Sequence, residues 1–321
     1  MQWQDRVSSR MLEVPYVHTT FTLPHELNGL ARRNPQEIYS LLMRSAWSTI
    51  RKLAQDETNV GALPGMIGVL HTFGSDLKYH IHMHALITFG GLTKNGEWVW
   101  PKRKKKLAPF RAMCAMFRKE FLNKLSKLEK GSIVQIQRFG ETIKEVAHKR
   151  WVVHSTYPTA DTSLVENYLS RYINRVAISN NRFKYLADQQ IVQIIYNNYR
   201  DQQVGQPAPK AEKIWSPLVA IDRMLQHVLP PYFQKARYYG IHAPATYKAI
   251  KDLIPVYLKR NKNTIRTLFQ ILHHLLQIKP YQCDVCQSPS YITIDLAPDK
   301  TWITNLINLP GNKAPPTGTI I

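Results

Sequence analysis

Apolar and polar positions along the chain fall into runs that predict their own secondary structure. Val14 to Leu23 reads as a strand with prolines near its ends, Pro15 and Pro24. From Pro35 to about Gln55, Ile38, Leu41, Leu42, Ala46 and Ile50 recur at helical spacing, with Asn34 in the cap position and Pro35 in the first turn. Two strands follow, Met66–Phe73 and Tyr79–Thr88, joined by the turn residues Gly74-Ser75-Asp76. Asn95-Gly96 predicts a further hairpin carrying Trp98 and Trp100, and Ala108 to about Leu128 predicts a helix. Strands at Ser132–Arg138 and Trp151–Ser155 precede a helix from Ser163 to about Arg175, whose start is marked by the capping box Ser163 and Glu166.

The order strand–helix–strand–strand–helix–strand is that of a split βαβ unit. The expected fold class is therefore α+β, an antiparallel sheet with flanking helices of the ferredoxin-like or RNA-recognition-motif kind. Residues 12–200 form this domain in the sequence reading. Residues 201–214, where Gln, Pro, Gly and Lys dominate, read as a linker. Residues 215–321 read as a mostly helical, basic C-terminal region, with helices at Ser216–Leu229, Ala243–Lys259 and Thr264–Ile278 and a loose tail from Pro310. No internal repeat is visible.

Composition narrows the class of partner. At 44% hydrophobic and 20% charged over 321 residues, the chain can bury a sizeable core. Its 43 Lys and Arg against 22 Asp and Glu leave a net charge of +21, which points to a polyanion, most often nucleic acid. No run approaches the roughly 18 consecutive apolar residues of a membrane span, and the N-terminus has no apolar signal region. The only cysteines, Cys114, Cys283 and Cys286, make no disulfide framework, so a reducing cytoplasm is the expected compartment.

Candidate chemistry begins on one strand. His80, His82 and His84 occupy alternate positions, so their imidazoles project from one face while Ile81, Met83 and Ala85 face the other. Same-face neighbours lie about 7 Å apart, close enough for two leaning imidazoles to share one ion. Such donors suit Mn, Zn, Fe or Ni, and accept Mg where phosphate and water oxygens complete the site. A third protein ligand is expected, His71 on the preceding strand being favoured over His18 and the outer His80.

A second group sits on the capped helix. Tyr168 and Tyr172 are four residues apart, one turn from each other on one face, with Arg171 and Arg175 as a second such pair beside them. Taken alone, spaced aromatics on a helix are core residues. Beside a cation and a metal-bound phosphate, however, a phenolate is stabilised and can attack phosphorus. The basic block Lys102, Arg103, Lys104, Lys105 and Lys106 follows Trp98 and Trp100, offering cations and stacking platforms of the kind found in single-strand grooves.

His82-Met83-His84, followed by Ala85-Leu86-Ile87, resembles the His–hydrophobe–His signature of HUH endonucleases. A more specific resemblance comes from Leu70-His71-Thr72-Phe73-Gly74, Tyr168-Leu169-Ser170-Arg171-Tyr172, Val14-Pro15-Tyr16 and Arg237-Tyr238-Tyr239-Gly240. Together these are similar to the two-tyrosine rolling-circle transposases of the insertion-sequence ninety-one type, over roughly residues 12 to 245. The resemblance implies Mg2+ or Mn2+ on His82 and His84 and single-stranded DNA, transposon ends and target, as substrate. It also implies that Tyr168 or Tyr172 nicks and joins strands through a 5′-phosphotyrosine, in a bacterial cytoplasmic, nucleoid-associated protein. A replication initiator or relaxase of the same class would keep that chemistry. A non-catalytic basic nucleic-acid-binding protein would not. Monomer or homodimer is left open by the residues. Two departures stand out: the cysteine-rich zinc segment usual at the start of relatives is not seen before Cys114, and Cys283-Asp284-Val285-Cys286 is half of a structural Zn2+ site, which His273 and His274 could complete.

Overall fold

A computed structural model describes residues 11–128, 139–160, 177–199, 201–203 and 205–259, all within one compact unit, Arg10–Asn261. The strand expected at 132–138 and the helices expected at 163–175 and 264–278 lie outside the described residues.

Strand β1 (Tyr16–Thr22) leads through the short helix α1 (Asn28–Arg33) to α2 (Pro35–Gln55), which has the predicted bounds. Asn34 precedes α2 as expected, but its side chain does not cap it; Nδ2 donates instead to the carbonyl of Leu30, one turn back in α1, at 3.2 Å. Strands β2 (Gly65–Phe73) and β3 (Tyr79–Thr88) form the predicted hairpin, and β4 (Gly91–Leu92) and β5 (Trp98–Val99) the smaller one. Helix α3 (Phe110–Leu128), α4 (Gly140–His148) and strand β6 (Val152–Ser155) complete the first half.

Beyond it come β7 (Phe183–Leu186), β8 (Ile191–Asn197), β9 (Lys210–Trp215), α5 (Pro217–Leu225), β10 (Ala236–Gly240) and α6 (Pro244–Ile250). The main sheet has the order β10-β2-β3-β1-β6 with every pair antiparallel. Strands β2-β3-β1-β6 have the order of a split βαβ unit, and β10 adds an edge strand beside β2. The α+β class with flanking helices is therefore as expected.

The stretch 201–214 does not divide the unit. Its second part is strand β9, which pairs with β8 from Val192↔Trp215 to Asn197↔Lys210, and β10 returns to the main sheet beside β2. The sequence predicts one helix over 243–259; instead α6 ends at Ile250, and a single 3-10 turn, Val256–Leu258, follows Pro255. Proline cannot supply the amide that would continue an α-helix there.

Alternation in β3 decides what each face of the sheet does. Ile81, Met83, Ala85 and Ile87 pack with Ile38, Leu42, Ala46 and Ile50 of α2 and with Phe117 and Phe121 of α3 in one core. Trp151 closes this core beside α3, its ring 5.2 Å from that of Phe117 and its Nε1 donating to the Val146 carbonyl at 2.9 Å. At the far end of β10, Gly240 has φ +58, and a Cβ there would sit 1.9 Å from the carbonyl oxygen of Pro64, so no side chain fits.

The tip of the β2–β3 hairpin joins the main sheet to the three-stranded sheet β7-β8-β9. Leu77 is fully buried with Val192, Ile194 and Ala220, and it takes a left-handed conformation (φ 56) to get there. Asp76 binds Lys213 of β9 at 2.8 Å, and Ser75 donates to the Asn197 carbonyl at 2.8 Å.

Helices α2 and α3 are tied by a buried acid. Glu120 accepts from Ser48 (2.6 Å), Lys52 (2.5 Å) and Lys124. Burial alone would raise its pKa, but these donors outweigh burial and hold the carboxyl at about 2. A depressed acid stabilises the fold above its unfolded pKa of 4.5, and that contribution fades as pH falls from there to about 2. Glu120→Gln is expected to cost about 2 kcal/mol at pH 7, with the gap to wild type shrinking by about half at pH 3. Denaturant unfolding of both proteins at the two pH values checks this; an unchanged gap contradicts it.

Candidate functional site

The face of the sheet opposite α2 and α3 carries the histidines. In β3 the even positions point there, and cross-strand pairing sets His71 of β2 directly opposite His82. On the other flank, Thr20 and Thr22 of β1 lie opposite His84 and His82. The β2–β3 register shifts between His71 and Phe73, so β3 carries one extra residue at the edge of the cluster. Bulges of this kind re-aim side chains beside functional sites.

His71, His82 and His84 each present a ring nitrogen, and these atoms all lie within 4.8 Å of one another. The rings meet nearly edge to face, at 83° for His71 and His82 and 80° for His82 and His84. His71 and His82 are buried and His84 half-buried. Among the described residues this is the one group of three or more such donors, and it contains His71 rather than His18 or His80.

The surrounding bonds orient the rings. The Nδ1 of His82 lies 2.9 Å from the carbonyl of His80, which accepts its proton and so leaves the Nε2 lone pair as ligand. His84 Nδ1 is 3.0 Å from His18 Nε2 and 3.3 Å from the hydroxyl of Thr20. His18 stacks on His84 with ring centres 5.2 Å apart. Burial, followed by repulsion from His154, pushes the His18 pKa down to about 3, so this ring is neutral at physiological pH. Desolvation also lowers the His80 pKa, against a weaker pull from Asp76. Neutral imidazoles offer lone pairs without the repulsion that a cation would meet from imidazolium.

Three imidazole donors fit a first-row divalent ion. Nitrogens bound to one ion at about 2.1 Å span at most about 4.2 Å, so small ring rotations would close this set around it. The donors come from two strands of a rigid sheet rather than from a loop, and one side of the ion would remain for oxygen ligands.

Other expected residues are placed differently. Lys102 to Lys106 are exposed in the loop before α3, with Arg103 donating to Asn59 at 2.9 Å. Lys105 and Lys106 line a cleft of about 430 Å³ with His154 and Tyr157, and the Lys105 ammonium lies 5.9 Å from the Tyr157 ring centre. Because His154 pairs with Thr20 and Thr20 with His84, this cleft lies two strands from the imidazoles. Trp98 and Trp100 contact each other edge to face at 6.0 Å. Trp100 is exposed, whereas Trp98 packs closely on Gly90. Tyr168, Tyr172, Arg171, Arg175, Cys283 and Cys286, with His273 and His274, lie outside the described residues.

The bracing of His84 by His18 and Thr20 is not legible in any one stretch of sequence. The signal was present: Thr20 and His18 alternate on one face of the first strand, but only the β1–β3 register brings them to His84.

Comparison with known proteins gives the family. The profile of a family described as "Putative transposase" matches residues 65–249, more than half of the chain and the part that holds β2, β3 and the imidazoles. A Sinorhizobium fredii protein of the same description, y4qJ, is 29% identical over 343 aligned residues, covering 95% of this chain and 80% of the relative. The transposase for insertion sequence element IS801 of Pseudomonas savastanoi pv. phaseolicola is 26% identical over 301 residues, covering 89% of this chain and 69% of the relative. No solved structure matches. With its profile spanning β2, the histidine strand β3 and the edge strands β6 and β10, the chain belongs to this transposase family.

Proposed function

We propose that this protein moves DNA by nicking and joining single strands, with His71, His82 and His84 holding Mg2+ or Mn2+ and Tyr168 or Tyr172 as nucleophile. The observation that carries the reading is the meeting of three imidazole nitrogens within 4.8 Å on the sheet face opposite α2 and α3, in a chain of net charge +21. Its family membership and the name of the IS801 relative support transposition as the setting.

A divalent cation bound there would draw charge from a phosphodiester oxygen and offset the charge that builds on phosphorus in the transition state. The imidazoles fix the position of that charge, and the hydrogen bonds of His82 and His84 fix the imidazoles. The tyrosine oxygen forms a new bond to phosphorus while the bond from phosphorus to the 3′ oxygen breaks. The phenol gives up its proton and the 3′ oxygen gains one from solvent, leaving a 5′-phosphotyrosine and a free 3′ hydroxyl. Because one phosphodiester is exchanged for another, strand joining by the reverse reaction needs no nucleoside triphosphate. The second tyrosine would serve the second strand in the same rolling-circle-like sequence. Arg171, Arg175 and the Lys102–Lys106 block would meet backbone phosphates, giving an affinity that falls steeply with salt.

The reading makes two measurements decisive. Calorimetric titration with Mn2+ is expected to give one site per chain, with His82→Ala lowering affinity at least 100-fold and His18→Ala about 10-fold. Equal affinity in all three proteins contradicts the cluster. Incubation with single strands labelled at either end is expected to give a Mn2+-dependent covalent adduct on the 3′-labelled strand alone. That adduct should be lost in EDTA, in His82→Ala and in Tyr168→Phe/Tyr172→Phe. Strand binding without any adduct would make the protein a non-catalytic DNA binder.

A further inference from the structure

An open groove of about 880 Å³ runs from the tip of the β2–β3 hairpin to His80. The His80 ring lies 4.9 Å from that of His82, so the groove ends one side chain from the imidazole cluster. One wall comes from α1, one from the hairpin tip, and one from the three-stranded sheet and α5. The family comparison and the motifs assign nothing to these residues.

The wall chemistry is specific. Lys213 is held by Asp76 at 2.8 Å, with its ammonium 5.1 Å from the Tyr196 ring centre and 5.8 Å from that of Trp215. Asp76 is the one acid among the described residues lining the groove, and this lysine pairs with it beside the Tyr196 and Trp215 rings. Burial opposes ionisation of Asp76, but the Lys213 hydrogen bond prevails and its pKa is lowered. Arg32 is likewise anchored, 4.9 Å over the Tyr79 ring and bonded to Gln226 at 3.0 Å. Lys78 shares Asp76 with Lys213, at 3.3 Å, so with Arg32 and Arg223 the groove keeps a net positive charge, and Tyr199, 59% exposed, stands at the rim.

Fixed aromatic rings alternating with cations, in a groove of net positive charge, suit unpaired nucleotides: the rings take base faces and the cations take phosphates. Duplex DNA keeps its base faces stacked and would use only the charge. We propose that this groove is a binding site for the unpaired nucleotides that flank the scissile phosphate, with bases stacking on Tyr199 and Trp215 and phosphates meeting Arg223 and Lys78. The proposal rests on the reading of the imidazole cluster as a single-strand nicking centre and supplies the path by which the strand reaches it.

The test uses the full chain in EDTA, a fluorescent single-stranded oligonucleotide and the matching duplex, with anisotropy measured over a range of salt. Tyr199→Ala is expected to weaken single-strand binding about tenfold without changing the salt slope, and Tyr199→Phe to restore it. Arg223→Ala is expected to weaken binding and to reduce the slope of log affinity against log salt by about 0.7. Irradiation of a strand containing 5-iododeoxyuridine is expected to cross-link peptides containing Tyr199 or Trp215, a readout that needs no variant. Wild-type affinity in both variants, a Tyr199→Ala loss equal for duplex and single strand, or cross-links confined to other peptides would each overturn the groove assignment. If that happens while wild type still forms the Mn2+-dependent adduct, the nicking reading stands and the groove alone falls. If wild type neither binds a single strand nor forms an adduct, both fall.

Discussion

The pairing of β2 with β3 that sets His71 opposite His82 is the constraint on which the rest depends. In an antiparallel ladder a slip of one residue sends every side chain to the other face. Such a slip would bring Ile81 and Met83 out of the core and drive His82 and His84 into it. The helix side prevents this. Met83 lies against Gly68, where even a Cβ would come within 3.0 Å of its sulfur, and Ile81, Ala85 and Ile87 fill the space over α2. Packing on one face of the sheet thus determines donor geometry on the other, with no flexible loop in between.

The electrostatics are divided in the same way. The chain carries a large positive charge, yet the cluster itself is built of imidazoles and braced by a neutral His18 and a threonine. Lysines and arginines stand at a distance, in the cleft beside His154 and in the groove that ends at His80. Diffuse cationic surfaces supply affinity for a polyanion without regard to position. Under the proposed reading a localised charge at the scissile phosphate would come instead from an ion held by the three imidazoles. Under that reading, binding and bond exchange would be altered independently by mutation.

Much of this was legible in the residues. The His80–His84 alternation, the helix over Pro35–Gln55 and the hairpin at Gly74 follow from local periodicity and turn chemistry, and each is present as expected. The sequence favours His71 as a third donor, because a hairpin fixes which residues face each other, and in the structure His71 does lie opposite His82. What escaped was non-local. Strand β9, Lys210–Trp215, has a weakly apolar, largely exposed pattern that reads as linker until β8 supplies its partner. Strand β10 is five residues long and is specified by pairing with β2, about 170 positions earlier in the chain. The groove gathers residues from α1, the hairpin tip, β8, β9 and α5, so no window of sequence contains it. The same holds for His18, whose role depends on a cross-strand neighbour 66 residues away.

The most direct test of the central claim is anomalous diffraction from crystals of the full chain soaked in Mn2+, recorded where manganese scatters anomalously. A single strong peak is expected among the ring nitrogens of His71, His82 and His84, absent from crystals of the His82→Ala protein. A peak elsewhere, or none at the imidazoles while the rings keep their places, would contradict that claim.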